Sequence, residues 1–228
     1  VFNTNIGGTH NVLSALKNAA PQCRFYFAGS SELFGRARTS PQNEDTPFIP
    51  RSAYGITKVT GYFLTSNYRE NYGMYACTGI AFNHESPRRG YEYVTRKIAH
   101  GVAQIKLGLL DKLVLGNLEA VRDWGYAPDY VKAMWQMLQQ PEPGDFVLAT
   151  GVGHTIREFC ELAFARLGLD YREYVVFDEK FYRPDEAVPL IGDASRARAE
   201  LSWQPEVEFA DLVDLMVDAD LARLSSGK

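Results

Sequence analysis

Residues 50–58 read PRSAYGITK, and this stretch decides how the rest of the chain is interpreted. Tyr54 and Lys58 are four residues apart, so their side chains lie on one face of a helix. An ammonium group beside a phenol favours the phenolate, which predicts that the pKa of Tyr54 falls from about 10 toward neutral pH. The spacing predicts a tyrosine that acts as a general base. The same spacing also arises on amphipathic helices that have no catalytic role.

An apolar run ends shortly before this stretch, and polar side chains follow it. Residues 24–29 read RFYFAG, which is typical of a short buried strand in a parallel sheet. Ligands of open α/β sheets bind outside the carboxyl ends of the strands. We therefore expect Ser30 to supply a hydroxyl group and Glu32 to supply a second carboxylate base.

The remaining apolar patterns alternate between helical and extended periods and predict an α/β fold. Ser52 is the expected N-cap of the helix that carries Tyr54, Gly73 its stop, and Thr155 opens a capping box with Glu158. Helices are predicted at 5–20, 53–71, 93–107, 128–139, 156–168, 194–202 and 210–223, and strands at 24–29, 74–82, 112–115, 145–149 and 175–177. Loops are predicted at 36–53, 116–124 and 181–189, the first of them on the surface.

Composition excludes several classes of protein. The 228 residues are 46% hydrophobic and carry a formal net charge of −4, with both signs interspersed, which argues against nucleic-acid binding. Cys23, Cys77 and Cys160 lie far apart without a Cys-x-x-Cys, so neither a metal site nor a disulfide framework is indicated. This cysteine pattern fits a reducing cytoplasm. No run approaches the roughly 20 apolar residues of a membrane span, so we expect no membrane partner.

Five short sequence motifs narrow the choice among α/β families further. They are SELFG at 31–35, TPFIPRS at 46–52, FNHESPRRG at 82–90, VTRKI at 94–98 and RDWG at 122–125. In this order around the Tyr-x-x-x-Lys helix they resemble the GDP-mannose 4,6-dehydratase family of extended short-chain dehydrogenases/reductases. The resemblance runs from about residue 3 to about residue 220.

The resemblance implies the C-terminal portion of a Rossmann-type doubly wound parallel sheet plus a small α/β substrate-binding lobe. Residues 1–82 are expected to form a partial dinucleotide-binding domain. Residues 83–228 are expected to form mainly the substrate lobe, with segments that return to the Rossmann domain. The chain contains no G-x-G-x-x-G turn, so we expect it to be part of a longer protein. A homo-oligomer, dimer or tetramer, is also implied.

The resemblance further implies a mechanism with NADP as the cofactor and GDP-mannose as the substrate. Tyr54 would remove the proton of the sugar 4-hydroxyl while hydride passes from C4 to NADP⁺. Glu32 would take the C5 proton and assist the loss of water from C6, to which hydride then returns. Ser30, where the family usually carries Thr, would bond the 4-oxygen, and Lys58 would hold the nicotinamide ribose.

Other residues match binding positions of the family. His84 and Arg89 match cofactor contacts, although Arg88 and Arg89 also fit a solvated pair. The positions that match contacts to the nucleotide sugar are Asn83, Lys97, Arg122, Arg183 and Glu186.

Two pairs of neighbouring charged residues can also be interpreted without the resemblance. Arg96 and Lys97 fall in the first turn of a predicted helix, where cations oppose the helix dipole, which favours a ligand or partner for both. Arg122 and Asp123, taken without the resemblance, would form an ordinary ion pair.

Two other functions remain open at this stage. One is a GDP-4-keto-6-deoxyhexose reductase of the same fold, since such reductases also tolerate Ser-Ser-Glu at 30–32. The other is a cofactor-free structural or regulatory piece, which the missing Gly-rich turn favours. The residues that would distinguish NADP from NAD are expected upstream of this sequence.

Overall fold

The structure, a computed structural model, describes residues 1–178 and 188–226. Within them the chain forms the strands β1 Phe25–Ala28, β2 Ala76–Ala81, β3 Asn83–Glu85, β4 Leu113–Leu115, β5 Val121–Tyr126, β6 Asp145–Leu148, β7 Gly153–Thr155 and β8 Val175–Phe177. The α-helices are α1 Gly8–Ala19, α2 Ala53–Tyr72, α3 Val94–Lys106, α4 Ala127–Met137, α5 Ile156–Arg166, α6 Tyr171–Tyr174, α7 Ser195–Leu201 and α8 Phe209–Ser225. No helix of the described residues is both long and apolar enough to cross a membrane.

A three-stranded parallel sheet, in the order β1-β2-β6, supports the N-terminal half. Every residue of β2 is buried, as expected for the central strand of a sheet covered on both faces. Cys77 and Ala81 pack toward α4 and α7. Ile80 points to the opposite face, toward Leu33 and the side chains of α2. The predicted α/β architecture with a parallel sheet is confirmed.

Helix α2 begins and ends where the sequence predicts. The Ser52 hydroxyl accepts a hydrogen bond from the Gly55 amide at 2.9 Å, and Gly73 ends the helix with a φ of 63°. At Gly61 a Cβ atom would lie 2.1 Å from the Phe27 ring. Glycine therefore lets α2 lie directly against β1, so the face that carries Tyr54 is held at the carboxyl end of that strand.

The C-terminal half contains two smaller sheets and a helical core. Strand β5 lies between β3, to which it is parallel, and β7, to which it is antiparallel, while β4 pairs with β8. Helices α3, α5 and α8 pack together around buried apolar residues that include Trp124 and Phe159. This core supports β5 and its neighbour β3, which follows directly on from the end of β2.

The predicted loop at 116–124 is wrong from Val121 onward, because β5 occupies residues 121–126. Its sequence carries charged side chains and no clear alternation, so only pairing with β3 and β7 makes it a strand. Strand β7 was not predicted either, because it has three residues and no apolar pattern. Short pieces of this kind depend on their neighbours for backbone hydrogen bonds.

The short elements β3 and α6 were also not predicted. The remaining helices and strands lie within a few residues of the predicted positions, and the Thr155 capping box is present. The loop at 36–53 is less superficial than predicted. Gln42 is fully buried, and its side chain bonds the Pro189 carbonyl and the Ile191 amide at 3.2 and 3.0 Å. Most of the loop predicted at 181–189 lies outside the described residues.

Candidate active site

Ser30 stands directly beyond β1 in an extended conformation, with φ −154° and ψ 147°. Its hydroxyl oxygen accepts a weak hydrogen bond from the Glu32 amide at 3.3 Å and caps a short 3₁₀ turn at Ser31–Leu33. Leu33 is fully buried and anchors this turn, whereas Glu32 stays partly exposed. The turn therefore brings a hydroxyl and a carboxylate to the carboxyl end of the parallel sheet.

Tyr54 and Lys58 both lie on α2, one turn apart. The Lys58 Nζ donates a hydrogen bond to the Ala28 carbonyl at 2.7 Å and lies 5.4 Å from the centre of the Tyr54 ring. Burial lowers the pKa of Lys58, because removal from water disfavours the ammonium form. The helix therefore holds its ammonium group at the end of β1, next to the turn that carries Ser30.

The predicted lowering of the Tyr54 pKa by Lys58 is wrong in this structure. Burial raises the pKa of Tyr54 above its ordinary value, because the phenolate loses hydration. A hydrogen bond from Ser30 and the charge of Arg89 lower this pKa, whereas Tyr93 and Glu32 raise it. Four of the surrounding side chains thus act on one phenol, and Tyr54 as a whole residue is 42% exposed.

Arg89 is held from two sides. Its Nε lies 3.3 Å from the Glu85 carboxylate, and its guanidinium group stacks 3.6 Å above the Tyr93 ring. Glu85 is buried at the end of β3, and Thr95 donates a hydrogen bond to it at 2.5 Å. Burial raises the pKa of Glu85, while Arg89 and Thr95 lower it. Arg89 is therefore part of a built contact and not a freely solvated side chain.

His84 lies in β3 and stacks on Tyr130, with ring centres 5.1 Å apart. Its Nδ1 is 2.8 Å from the Phe82 carbonyl oxygen. Because a carbonyl oxygen can only accept, Nδ1 carries the proton in the neutral ring, which leaves Nε2 as an acceptor. The backbone thereby selects one tautomer of His84 and fixes the ring at the start of the segment that leads to Arg89.

The expected substrate-binding residues lie on several different elements. Asn83 is the first residue of β3 and pairs in register with Trp124 of β5. Lys97, in the first turn of α3, donates a hydrogen bond from Nζ to the Val114 carbonyl at 2.6 Å. Arg122 lies on β5, and its Nη1 donates to the Val121 carbonyl at 2.7 Å. Both Arg183 and Glu186 lie outside the described residues.

Arg96 and Asp123 both have hydrogen-bond partners within the chain. The expectation of a ligand or partner for Arg96 is wrong, because Arg96 is 2% exposed and its guanidinium donates to the Asp220 carboxylate at 2.7 Å. Asp123 accepts hydrogen bonds from the Thr150 hydroxyl and from the Gly151 and Gly192 amides at 2.6, 3.0 and 3.1 Å. The Asp123 carboxylate therefore joins three segments of the chain, which are β5, residues 150–151 and residue 192.

A cavity of about 320 Å³ that the sequence did not suggest opens between the 116–119 loop and β8. Phe177 at the end of β8 is 59% exposed beside it. On the opposite wall Arg157 donates a hydrogen bond to Glu119 at 2.8 Å. In the sequence, the signal for this wall of the cavity is a phenylalanine at the end of a predicted strand.

A family model described as GDP-mannose 4,6 dehydratase matches residues 1–216 of the chain. The chain belongs to the GDP-mannose 4,6 dehydratase family. A relative named GDP-mannose 4,6 dehydratase 2, from Arabidopsis thaliana, is 54% identical over 198 residues, which cover 87% of this chain and 53% of the relative. A human relative named GDP-mannose 4,6 dehydratase is 46% identical over 233 residues, which cover 94% of this chain and 63% of the relative.

The chain therefore spans between about half and two thirds of the length of these members of the GDP-mannose 4,6 dehydratase family. A solved structure described as RMD from Pseudomonas aeruginosa complexed with NADPH has a TM-score of 0.89 at 24% sequence identity. The match covers 96% of this chain and 73% of that one, and it shows that the two share a fold.

Proposed function

We propose that this protein is a lyase that converts GDP-mannose to GDP-4-keto-6-deoxymannose with loss of water. Family membership supports the reaction, and one feature of the site supports it most strongly. The turn at Ser31–Leu33 brings the Ser30 hydroxyl and the Glu32 carboxylate to the end of β1, where α2 holds Lys58. An alcohol dehydrogenase needs one base, whereas elimination beside a ketone needs a second one. Glu32 is the residue that can provide it.

The proposed roles follow from the chemistry of each side chain. Tyr54 accepts the proton of the 4-hydroxyl as a general base, and Ser30 holds the 4-oxygen by a hydrogen bond. Once C4 is a ketone, the proton on C5 becomes acidic, and the Glu32 carboxylate removes it. The same carboxyl group then carries a proton that it can donate to the hydroxyl leaving C6. The two bases thus act in sequence on neighbouring carbons.

The proposed cofactor is NADP, which supplies a hydride acceptor and donor when it is bound. The residues at the end of β1 fit its nicotinamide ribose, because the Lys58 ammonium and the Tyr54 hydroxyl lie one helical turn apart there. His84 offers an Nε2 acceptor, and Arg89 offers a cation that Glu85 and the Tyr93 ring hold in place. Proteins of the same fold bind NADPH, as the Pseudomonas aeruginosa protein does, or NAD, as a dTDP-glucose 4,6-dehydratase from Bacillus anthracis does, which is consistent with a nicotinamide cofactor here.

The proposed substrate lobe lies mainly within residues 83–228. Lys97 and Arg122 are proposed to bind the diphosphate, which suits cationic donors, together with Arg183. Asn83 and Glu186 are proposed as further contacts. We further propose a homo-oligomer in the cytoplasm, where the free thiols of Cys23, Cys77 and Cys160 would persist.

The experiment uses the full-length protein that the gene encodes. It is incubated with GDP-mannose and NADP⁺, without NADPH, and the product is analysed by mass spectrometry. We expect a sugar nucleotide that has lost one water and traps as a 4-keto compound. Reduction of the 4-keto sugar by NADPH without dehydration of GDP-mannose would instead identify a reductase. Failure to bind either nucleotide would favour the cofactor-free alternative.

A further inference from the structure

The His84 ring, which the proposed function places at the cofactor, lies against the ring of Tyr130. The two ring centres are 5.1 Å apart and the ring planes differ by 21°, which is an offset stacked arrangement. The imidazole is also held by the 2.8 Å contact between its Nδ1 and the Phe82 carbonyl oxygen. His84 stays partly exposed, whereas Tyr130 is fully buried. Tyr130 is thus the buried support on which the His84 ring lies.

Gly125 of β5 makes room for the Tyr130 ring. It pairs in register with His84 of β3, so the two residues are direct neighbours across the strands. A Cβ atom at residue 125 would lie 2.4 Å from Cε2 of Tyr130 and 2.8 Å from its hydroxyl oxygen. Any side chain at residue 125 would therefore displace the ring, and glycine leaves open the slot that the ring fills beside His84.

Tyr130 is itself fixed by a second aromatic contact. Its ring meets the Trp203 ring edge to face, with centres 5.6 Å apart and an angle of 78° between the planes. Trp203 is buried, and its Nε1 donates a hydrogen bond to the Asp129 carbonyl at 2.8 Å. The Asp129 carboxylate accepts hydrogen bonds from the Glu206 and Val207 amides at 2.9 and 3.2 Å. The segment after α7 thus holds the start of α4, and with it the Tyr130 ring.

The Tyr130 hydroxyl has no hydrogen-bond partner among the residues that the structure describes. A buried hydroxyl without a partner costs free energy instead of supplying it. The ring, and not the hydroxyl, is therefore what Tyr130 contributes to the contact with His84. Tyr130→Phe is accordingly the conservative variant, since it keeps the ring and removes only the unpaired group.

We infer that Tyr130 is a positioning residue, which holds the His84 imidazole with Nδ1 toward the Phe82 carbonyl and Nε2 presented as an acceptor to the bound cofactor. The inference rests on the proposed function for the role of His84, but the contacts themselves do not. Without the Tyr130 ring the imidazole loses its stacking partner and rotates about its side-chain bonds. The cofactor then meets a ring that must be ordered on binding, which weakens the affinity.

The first measurement follows His84 itself, without substrate or cofactor. The full-length protein is labelled with ¹⁵N at the histidine ring nitrogens, and the His84 signals are assigned by their absence in His84→Ala. At alkaline pH, where imidazole is neutral, the chemical shifts of the two nitrogens report which one carries the proton. We expect one tautomer, protonated at Nδ1, in the parent and in Tyr130→Phe. In Tyr130→Leu we expect a mixture of the two tautomers.

The second measurement is the dissociation constant of NADPH, obtained from its fluorescence. Tyr130→Leu should raise this constant about 2- to 10-fold, the range that loss of an aromatic pair implies, and Tyr130→Phe should restore the parent value. In the background of His84→Ala, Tyr130→Leu should raise it no further, because the ring acts through the imidazole. The matched control is Tyr171→Leu, the same substitution at a buried tyrosine of the C-terminal core, which should change neither measurement.

Three outcomes would overturn the inference. They are a mixture of tautomers in the parent, an unchanged tautomer in Tyr130→Leu, and a loss of NADPH affinity from Tyr130→Leu that is just as large in His84→Ala. If Tyr130→Leu does not fold, Gly125→Ala decides the matter, because it keeps the Tyr130 ring but moves it from its slot. It should give the same mixture of tautomers, and a single tautomer would again overturn the inference.

The His84 tautomer also separates this inference from the proposed function. It is measured without any nucleotide, so a protein that binds no NADPH would contradict the proposed cofactor and not the contact between His84 and Tyr130. Because no turnover is measured, a failure to dehydrate GDP-mannose would likewise leave both measurements unaffected.

Discussion

Lys58 donates a hydrogen bond from its ammonium group to the backbone carbonyl of Ala28, at 2.7 Å. This bond ties α2 to the carboxyl end of β1 and directs the charge toward the backbone. The ammonium nitrogen lies 5.4 Å from the centre of the Tyr54 ring. In the structure, the groups that lower the pKa of Tyr54 against the effect of burial are Ser30 and Arg89.

The first prediction concerns Ser30. Its hydrogen bond lowers the pKa of Tyr54, so Ser30→Ala should raise that pKa. A base acts in its deprotonated form, so a higher pKa leaves less phenolate at any given pH. The rising limb of log kcat/KM against pH should therefore move to higher pH. Ser30→Thr keeps the hydroxyl and should retain the parent profile, whereas identical profiles for the Ala variant and the parent would contradict the prediction.

The second prediction concerns Tyr54 itself. Tyr54→Phe removes the base but keeps the ring, so kcat should fall by about 10²- to 10⁴-fold. Steady-state rates with GDP-mannose measure this loss. Tyr72→Phe is the control, because Tyr72 is exposed at the far end of the same helix. An equal loss in both variants would mean that the effect belongs to the helix and not to the phenol.

The third prediction separates the two proposed bases. Glu32→Gln keeps the size of the side chain but removes its basicity, so the C5 proton should no longer exchange with solvent. Binding of NADPH, measured by its fluorescence, should be unchanged. Mass spectrometry of the product formed in deuterated water measures the exchange. Glu70→Gln serves as the control, since Glu70 lies exposed on α2 and accepts a bond from Ser66. Undiminished turnover in Glu32→Gln would remove Glu32 from the mechanism.

The fourth prediction compares a shielded ion pair with an exposed one. Arg69 bonds both carboxylate oxygens of Asp145, at 2.9 and 2.7 Å, and Asp145 is buried at the start of β6. Arg69→Met should lower the free energy of unfolding by about 3 kcal/mol, because it leaves this carboxylate without its cation. Urea unfolding at neutral pH measures the change.

The control for the fourth prediction is Arg166→Met. Arg166 pairs with Asp214 and Asp218 at 3.0 and 2.7 Å, but its side chain is 43% exposed. Solvent screens such pairs, so Arg166→Met should lower the free energy of unfolding much less than Arg69→Met does. Equal losses in the two variants would show that burial does not govern the strength of the Arg69 contact.

Helix α2 illustrates what could be predicted from the sequence. Its N-cap at Ser52 and its stop at Gly73 are local signals, and both are present. The one-turn spacing of Tyr54 and Lys58 is likewise a property of any helix. Strand β5 illustrates the opposite case, because its charged residues have no strand pattern of their own. It is a strand because β3 and β7 supply its backbone partners.

Arg96 shows why the site could be predicted only in part. A cation in the first turn of a helix is unfavourable for the helix, and that local reasoning suggested a ligand. Its actual partner is Asp220, which lies 124 residues further along the chain. The predicted lowering of the Tyr54 pKa is wrong for the same reason, since the burial that raises this pKa is a consequence of packing.

The sequence by itself determined which segments form the main helices, that Tyr54 and Lys58 share a face, and which family the chain resembles. These features depend on helix caps, hydrophobic periodicity and short sequence motifs, all of which are local. Only the tertiary structure decided that Lys58 bonds Ala28, 30 residues earlier, and that Arg96 turns toward Asp220. Charged side chains find their partners by distance in space, and that distance exists only once the core has packed.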